Sequence, residues 1–326
     1  MPASVLRLVQ LFSEPASTWG SAARATVQLI GVNDANLQIV DEVHQGEPQG
    51  WLAPAISSAQ VSQHGEGSIT QDCSYQDICY WLDGAFGKAT ASAAAGTQYV
   101  RNYSAPLNAI SSPQTYTMEF GTTDASYRLN GALPATLTIS GEAGGVWELS
   151  CDLMGQKIET VTMSTAPSST RAVQLVRMAD TSFKVGAWAN STHTTVGATL
   201  ISFDLTASPG RHLKQFAGSL YPGSHGETRW EGQLETVLEF NSSAKAYVDG
   251  LLSGLVQRRI RLTGTGTPAT NRIVQIDFAG TLVDGAELWS DRDGNMTVSL
   301  TWNGTYNANL ANWLTVKVTN ELDEMP

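Results

Sequence analysis

The chain is short of charge. Of its 326 residues only 15% are Asp, Glu, Lys or Arg, and 19 basic side chains face 30 acidic ones, a net charge of −11. With 42% hydrophobic residues the composition is that of a folded protein, not a disordered one. The deficit of Lys and Arg argues against a general nucleic-acid binder, because phosphate contacts need clustered cations. Long apolar runs are missing as well. No stretch approaches the roughly 20 residues that a membrane-spanning helix needs. Val5–Phe12 is short and broken by Arg7, and reads as a strand rather than a signal-peptide core. Three cysteines, Cys73, Cys79 and Cys151, suit a reducing compartment, and an odd count argues against a disulfide scaffold.

Signatures of chemistry are equally sparse. There is no G-x-S-x-G elbow, no phosphate-binding loop and no dinucleotide fingerprint. His44, His64, His193, His212 and His225 are scattered, without the spacing of a metal site. Ser290–Asn295 has part of a calcium loop, but too few Asp or Asn at the required spacing and no closing Glu. An Asp293-Gly294 hairpin turn fits the alternating residues around it better. Arg258, Arg259 and Arg261 form one basic cluster on a strand whose Val256, Ile260 and Leu262 face the core. A solvated face is its plainest reading, and an acidic protein partner the next. No catalytic residue, metal ligand or cofactor is assigned.

What the chain has is glycine, 30 residues of it, with many Ser and Thr between short apolar runs. That composition predicts strands and turns. Two stretches stand out because they repeat one plan. Gly65–Gly87 and Gly226–Gly254 each open on Gly-Glu, cross a β-like segment and enter one short amphipathic helix. In the first, Ser74 is the natural N-cap with Asp77 three residues on, Ile78, Trp81, Leu82 and Ala85 form an apolar stripe, and Gly87 ends it. In the second, Ser242 or Ser243 caps, and Tyr247, Val248, Leu251, Leu252 and Leu255 form the stripe. Leu82-Asp83-Gly84 matches Val248-Asp249-Gly250.

The strands echo each other too. Trp147, Leu149, Cys151 and Leu153 alternate with polar residues, as do Met296, Val298, Leu300 and Trp302. Tyr127–Gly131 matches Ile276–Gly280, and Gly155 matches Gly304. The expected division is therefore 1–165 and 166–326, linked by Met163–Thr170. The first half holds 15 acidic and 6 basic residues, net −9; the second holds 15 and 13, net −2. Asn33–Pro54 and Pro209–Gly226 lack a helical period and read as long loops or hairpin arms.

The order of these features resembles the major tail tube protein of long-tailed, non-contractile bacteriophages, in the form with two tandem tube domains. Its carriers are Glu14…Ser17-Thr18-Trp19-Gly20, the acidic-polar Asn33–Gly46, Gly65–Thr70 leading into Tyr80–Gly87, Tyr127–Gly131 with Gly155, and their second-half counterparts. The resemblance implies a mainly β protein: two tandem β-sandwiches, each flanked by one short α-helix, whose inner sheets join into a large β-barrel in a ring. It implies a structural virion protein, made in the host cytoplasm, with no enzymatic activity. Rings of three chains would imitate six-domain rings and stack into a channel for double-stranded DNA, which passes without specific binding. Implied partners are the chain itself and the tail terminator, tape-measure and baseplate proteins, with no membrane.

On this reading Asp34, Asp41, Glu42, Glu47, Arg211, His212, Lys214 and His225 are candidates for ring stacking. Glu66, Asp72, Glu231, Glu235, Arg259 and Arg261 are candidate channel or inter-domain charges. Unequal halves alternating around a ring would favour correct alternation. Two competitors remain: a glycan-binding β-sandwich using Trp51 or Trp188, and a β-scaffold hydrolase with two carboxylates that meet only in space.

Overall fold

In a computed structural model of the chain, the residues described are 8–15, 18–25, 27–46, 50, 52, 54–55, 57–94, 98–122, 125–164, 172–189, 192–196, 199–267, 272–283, 290–292 and 294–325, the side chains of residues 8, 243, 251, 253 and 292 excepted. The protein is mainly β. Its first half runs β1 (Leu8–Ser13), β2 (Val27–Gln28), β3 (Val32–Gly46), β4 (Ser57–Asp72), α1 (Ile78–Phe86), β5 (Ser92–Ala93), β6 (Tyr99–Ser104), β7 (Tyr116–Gly121), β8 (Ser126–Glu142), β9 (Trp147–Gly155) and β10 (Lys157–Val161). The second half follows a 3-10 turn (Met178–Asp180). It runs β11 (Thr181–Ala187), β12 (Thr194–Thr195), β13 (Leu200–Ser208), β14 (Arg211–Lys214), β15 (Ser224–Glu227), β16 (Glu231–Glu239), α2 (Ser242–Ser253), β17 (Gln257–Thr265), β18 (Ile273–Val283), β19 (Ser290–Arg292), β20 (Asn295–Gly304) and β21 (Leu314–Asn320).

Strand pairing follows one plan twice. β2–β1–β7–β8 with β10 on the far side of β8 is matched by β12–β11–β17–β18 with β21. β3–β4–β9–β8 is matched by β13–β16–β20–β18. Even an irregularity recurs: the register slips between Val32 and Asp34 in β3, and between Leu200 and Ser202 in β13. Counting on from that bulge sets Leu37 against Leu205 and Ile39 against Ala207. The strands also place Gly65, opposite Gly155, level with Gly232 beside Gly304, and not with Gly226 as the Gly-Glu match suggests.

β8 is the pivot of the first half. Its N-terminal part pairs with β7 and β10, and its C-terminal part with β9. The switch comes at Gly131, whose φ of +68° excludes most side chains, and at a register shift between Pro134 and Thr136. A Cβ on Gly131 would lie 2.6 Å from the Trp19 indole nitrogen, which donates to the Gly131 carbonyl at 2.9 Å. Between the layers lie the fully buried Trp81, Trp147 and Trp302. All three cysteines are free and buried.

The two helices differ. Every residue of α1 is buried. The Asp77 amide donates to the Ser74 hydroxyl at 2.9 Å, so Ser74 stabilises the turn before the helix, which starts at Ile78. In α2 the cap is Asn241, not Ser242 or Ser243: its side-chain oxygen accepts from the Ala244 amide at 3.0 Å. Tyr247 and Val248 are buried, and Tyr247 meets Trp302 edge-on at 6.0 Å. Leu252 is 81% exposed and Leu255 74%, so the expected stripe is only half covered. The side chain of Leu251 lies outside the described residues.

Candidate functional site

The strongest feature begins with period-2 alternation. β3, β4, β9, the end of β8, β13, β16 and β20 form one continuous antiparallel sheet. Cross-strand partners share a face. One face carries Leu37, Ile69, Leu149, Cys151, Ile139, Leu205, Leu234 and Leu300 toward the core. The other is polar throughout most of its area. β3 gives it Asp34, Asn36 and Gln38; β4 gives Glu66, Ser68, Thr70 and Asp72; β9 gives Glu148, Ser150 and Asp152. From β8 come Thr136, Thr138, Ser140 and Glu142, and from β13 Ser202, Asp204, Thr206 and Ser208. β16 adds Glu231, Gln233, Glu235 and Glu239, opposite Asn303, Thr301 and Thr297 of β20. Among the described side chains this face bears carboxylates on five strands besides β8 and not one Lys or Arg. Asp204 and Glu235 are direct cross-strand neighbours. Burial raises the Asp204 carboxyl above its ordinary range; the Thr206 hydroxyl opposes that rise and the Glu235 charge adds to it.

Within the chain the halves are stitched by β8 and β13, which pair from Leu137↔Ala207 to Glu142↔Ser202. Thr138 and Thr206 share a hydroxyl contact across this joint at 3.2 Å, and Trp147 meets Phe203 edge-on at 5.0 Å. Beneath it Leu82 and Phe86 of α1 close over Leu205 and Ala207, leaving a void of about 10 Å³. A second stitch pairs β6 with β21 from Ser104↔Thr315 to Tyr99↔Asn320.

The outer borders of the same sheet lack such a partner. Among the described residues β3 pairs with β4 alone, and β19 with β20 alone. The distal part of the β3–β4 hairpin is exposed on both faces, with Ile39, Val43 and Val61 about half exposed. The expected Asn33–Pro54 loop or arm is thus a strand, β3, as far as Gly46. Asp34, Asp41 and Glu42 lie along it, exposed; Asp41 accepts from the side chains of Gln60 and Gln63. Glu47 and Trp51 lie outside the described residues.

The Pro209–Gly226 stretch holds the hairpin β14–β15, folded back over the first half. Arg211 is 8% exposed and fastens it: its guanidinium donates to the carbonyls of Gly84 at 2.6 Å, Ala85 at 2.7 Å and Pro134 at 2.9 Å. Those first two are at the C-terminal end of α1, where a cation is favoured. Burial lowers this guanidinium to about 10, so it stays charged at neutral pH. Arg211 is thus a buried clamp, not a surface contact; His212 and Lys214 are exposed beside it. His225 is half-buried against Trp19, ring centres 5.5 Å apart. No local sequence signal separates Arg211 from any loop arginine. The acidic face, by contrast, could have been found by parity, since Glu231, Glu235 and Glu239 alternate with Leu234 and Leu238.

The basic cluster lies on the opposite sheet. Arg261 pairs with Asp277 across β17 and β18 (Nη2–Oδ2 3.0 Å), and Arg259 is 4% exposed. Neither borders the acidic face. Trp188 is half-buried, and its carbonyl accepts from Asn307. A surface cleft of about 900 Å³ contains Trp230 and Trp313, but both rings are packed into the core. Among the described residues no cluster of His, Cys, Asp and Glu could hold a metal ion, and no helix is long and apolar enough to cross a membrane.

No curated protein matches the chain. A family model described as phage tail tube protein matches residues 10–304, nearly the whole chain. The chain therefore belongs to the phage tail tube protein family, and is a structural, non-enzymatic component of the virion's tail that associates with itself and with other tail proteins.

Proposed function

We propose that the chain is the major tube subunit of a long, non-contractile phage tail, built of two tandem tube domains spanning 1–165 and 166–326. Three copies close into a ring that imitates six domains, and rings stack into a conduit for double-stranded DNA. The observation that carries this reading is the β8–β13 joint. It shows how the sheet of one half continues into the next, while β3 and β19 at the two ends offer the same kind of border. An open edge invites further strand pairing, and closure removes it. Four strands from each half give about 24 in such a ring, more than the 16–18 of porins that already leave an open channel.

The polar face supports transit. Turned inward, it presents carboxylates and hydroxyls to a polyanion, and its described side chains give phosphates no cation to hold, so DNA slides without sticking. Glu66, Asp72, Glu231 and Glu235 would face the lumen, whereas Arg259 and Arg261 would not. The tip of the β3–β4 arm beyond Ile39 and the tip of the β14–β15 hairpin are left for contacts between stacked rings. Tube ends would meet the terminator, tape-measure and baseplate proteins.

Negative-stain microscopy of the purified protein tests this. Rings or tubes with three-fold symmetry and a six-lobed outline are expected. A protein that stays monomeric at high concentration overturns the reading.

A further inference from the structure

We propose that the ring closes by setting β3 of one copy against β19 of the next, in the register Asn36 opposite Ser290, and that this seats Ile39 beneath Leu252 of the neighbour's α2. The inference rests on the ring reading above and deepens it by naming the partner surfaces.

The register follows from the joint already inside the chain. There, Ser140 lies opposite Asp204 and Gly141 opposite Phe203. Ser140 pairs with Glu148 on its other side, and Ser290 stands in the same relation to Thr297. Counting from the shared bulge, Asn36 occupies in β3 the place of Asp204 in β13, and Ala35 that of Phe203. Carrying the joint over gives Asn36 opposite Ser290 and Ala35 opposite Asp291.

The side chains on the core face then meet as a set. In the internal joint Ala207 is 3% exposed and lies under Phe86, which is 8% exposed. Ile39 holds the place of Ala207 and is 52% exposed; Leu252, three residues past Asp249 as Phe86 is past Asp83, is 81% exposed. Each is a large apolar side chain left in water in a position whose counterpart is covered. The sizes also compensate. A small strand residue meets a large helix residue inside the chain, whereas two side chains of middle size meet between chains, a volume-conserving exchange. α2 of the same copy cannot be the cover, because β3 and β16, the strand that leads into α2, are separated in the continuous sheet by β4, β9, β8 and β13.

The test uses Ile39→Cys with Leu252→Cys in assembled tubes and a short bis-maleimide cross-linker. Cys73, Cys79 and Cys151 are buried and give no background. Covalent species are expected to rise to the number of chains that microscopy counts in one ring and stop there, with none from either single variant. Leu252→Glu, at a site already in water, should melt like the wild type yet need at least about tenfold more protein to form rings. Rings that form normally in Leu252→Glu, with no cross-linking of the double variant, overturn this joint while leaving the ring reading intact. A covalent ladder running past one ring overturns it by placing Ile39 against the next ring. Wild-type protein that forms no rings overturns both.

Discussion

Glu14 shows how much one side chain organises. It is 3% exposed, and its carboxylate accepts from the amides of Gly20 (3.1 Å) and Gly131 (2.8 Å) and the hydroxyls of Thr115 (3.3 Å) and Thr117 (2.8 Å). It thereby ties the Thr18–Gly20 turn to the point where β8 changes sheets. Glu14→Gln keeps the size but sets an NH2 group against the backbone amide of Gly20 or Gly131, which can only donate. It should cost about 1.5–3 kcal/mol in urea unfolding, in the range of hydrogen bonds to charged groups. Arg211→Met leaves three inward carbonyls without their donor and should cost about 3 kcal/mol. Arg211→Lys should recover only part of that, since an ammonium cannot fork across Gly84, Ala85 and Pro134. A lysine variant as stable as the wild type would mean that charge alone matters there. The thiols invite no such role: burial pushes Cys79 up to about 12, so it stays protonated and inert.

At the scale of elements, the docked hairpin carries a pH dependence. Burial lowers the His225 imidazole below its ordinary value, and the nearby Arg211 charge adds to this. A histidine depressed in the fold stabilises it fully above its unfolded value of about 6.5, and the contribution fades as pH falls toward the lowered one. Amide exchange across Ser224–Glu227 should quicken between about pH 7 and pH 5 relative to β16, and His225→Gln should remove the difference. The elements themselves were legible to different degrees. α1 could be read because Ile78, Trp81, Leu82 and Ala85 keep the 3.6 period that its complete burial demands. The period predicted the same for α2, but Leu252 faces away from its own core, and no single chain encodes what a second copy would cover. β3 read as an arm or loop because both of its faces are wet over much of its length, which erases the alternation that marks a strand. β14 and β15 are four residues each, too short for any period to register.

For the whole molecule the unequal distribution of charge matters more than its total. Among the described side chains the acidic face has no Lys or Arg, while Arg258, Arg259, Arg261 and Arg272 belong to the opposing layer and its connections. Sequence halves of −9 and −2 only hinted at this, because the separation is between faces of one sheet sandwich rather than between ends of the chain. Wild-type tubes should not retain duplex DNA even at low salt. Glu66→Lys, Asp204→Lys and Glu235→Lys together should create binding that weakens steeply with salt, by a slope of about −0.9 per phosphate contacted. Binding by the wild type, or none by the triple variant, would separate this face from the DNA path.

The stitch between β6 and β21 has a mechanical corollary. Its outgoing strand, β6 between α1 and β7, has no counterpart in the second half, since only Gly254–Val256 separate α2 from β17 and no strand can reach outward there. Around a ring, stiff seams inside each chain would therefore alternate with softer seams between chains. A tail bent sideways or pulled would flex, and finally tear, along three lines rather than six.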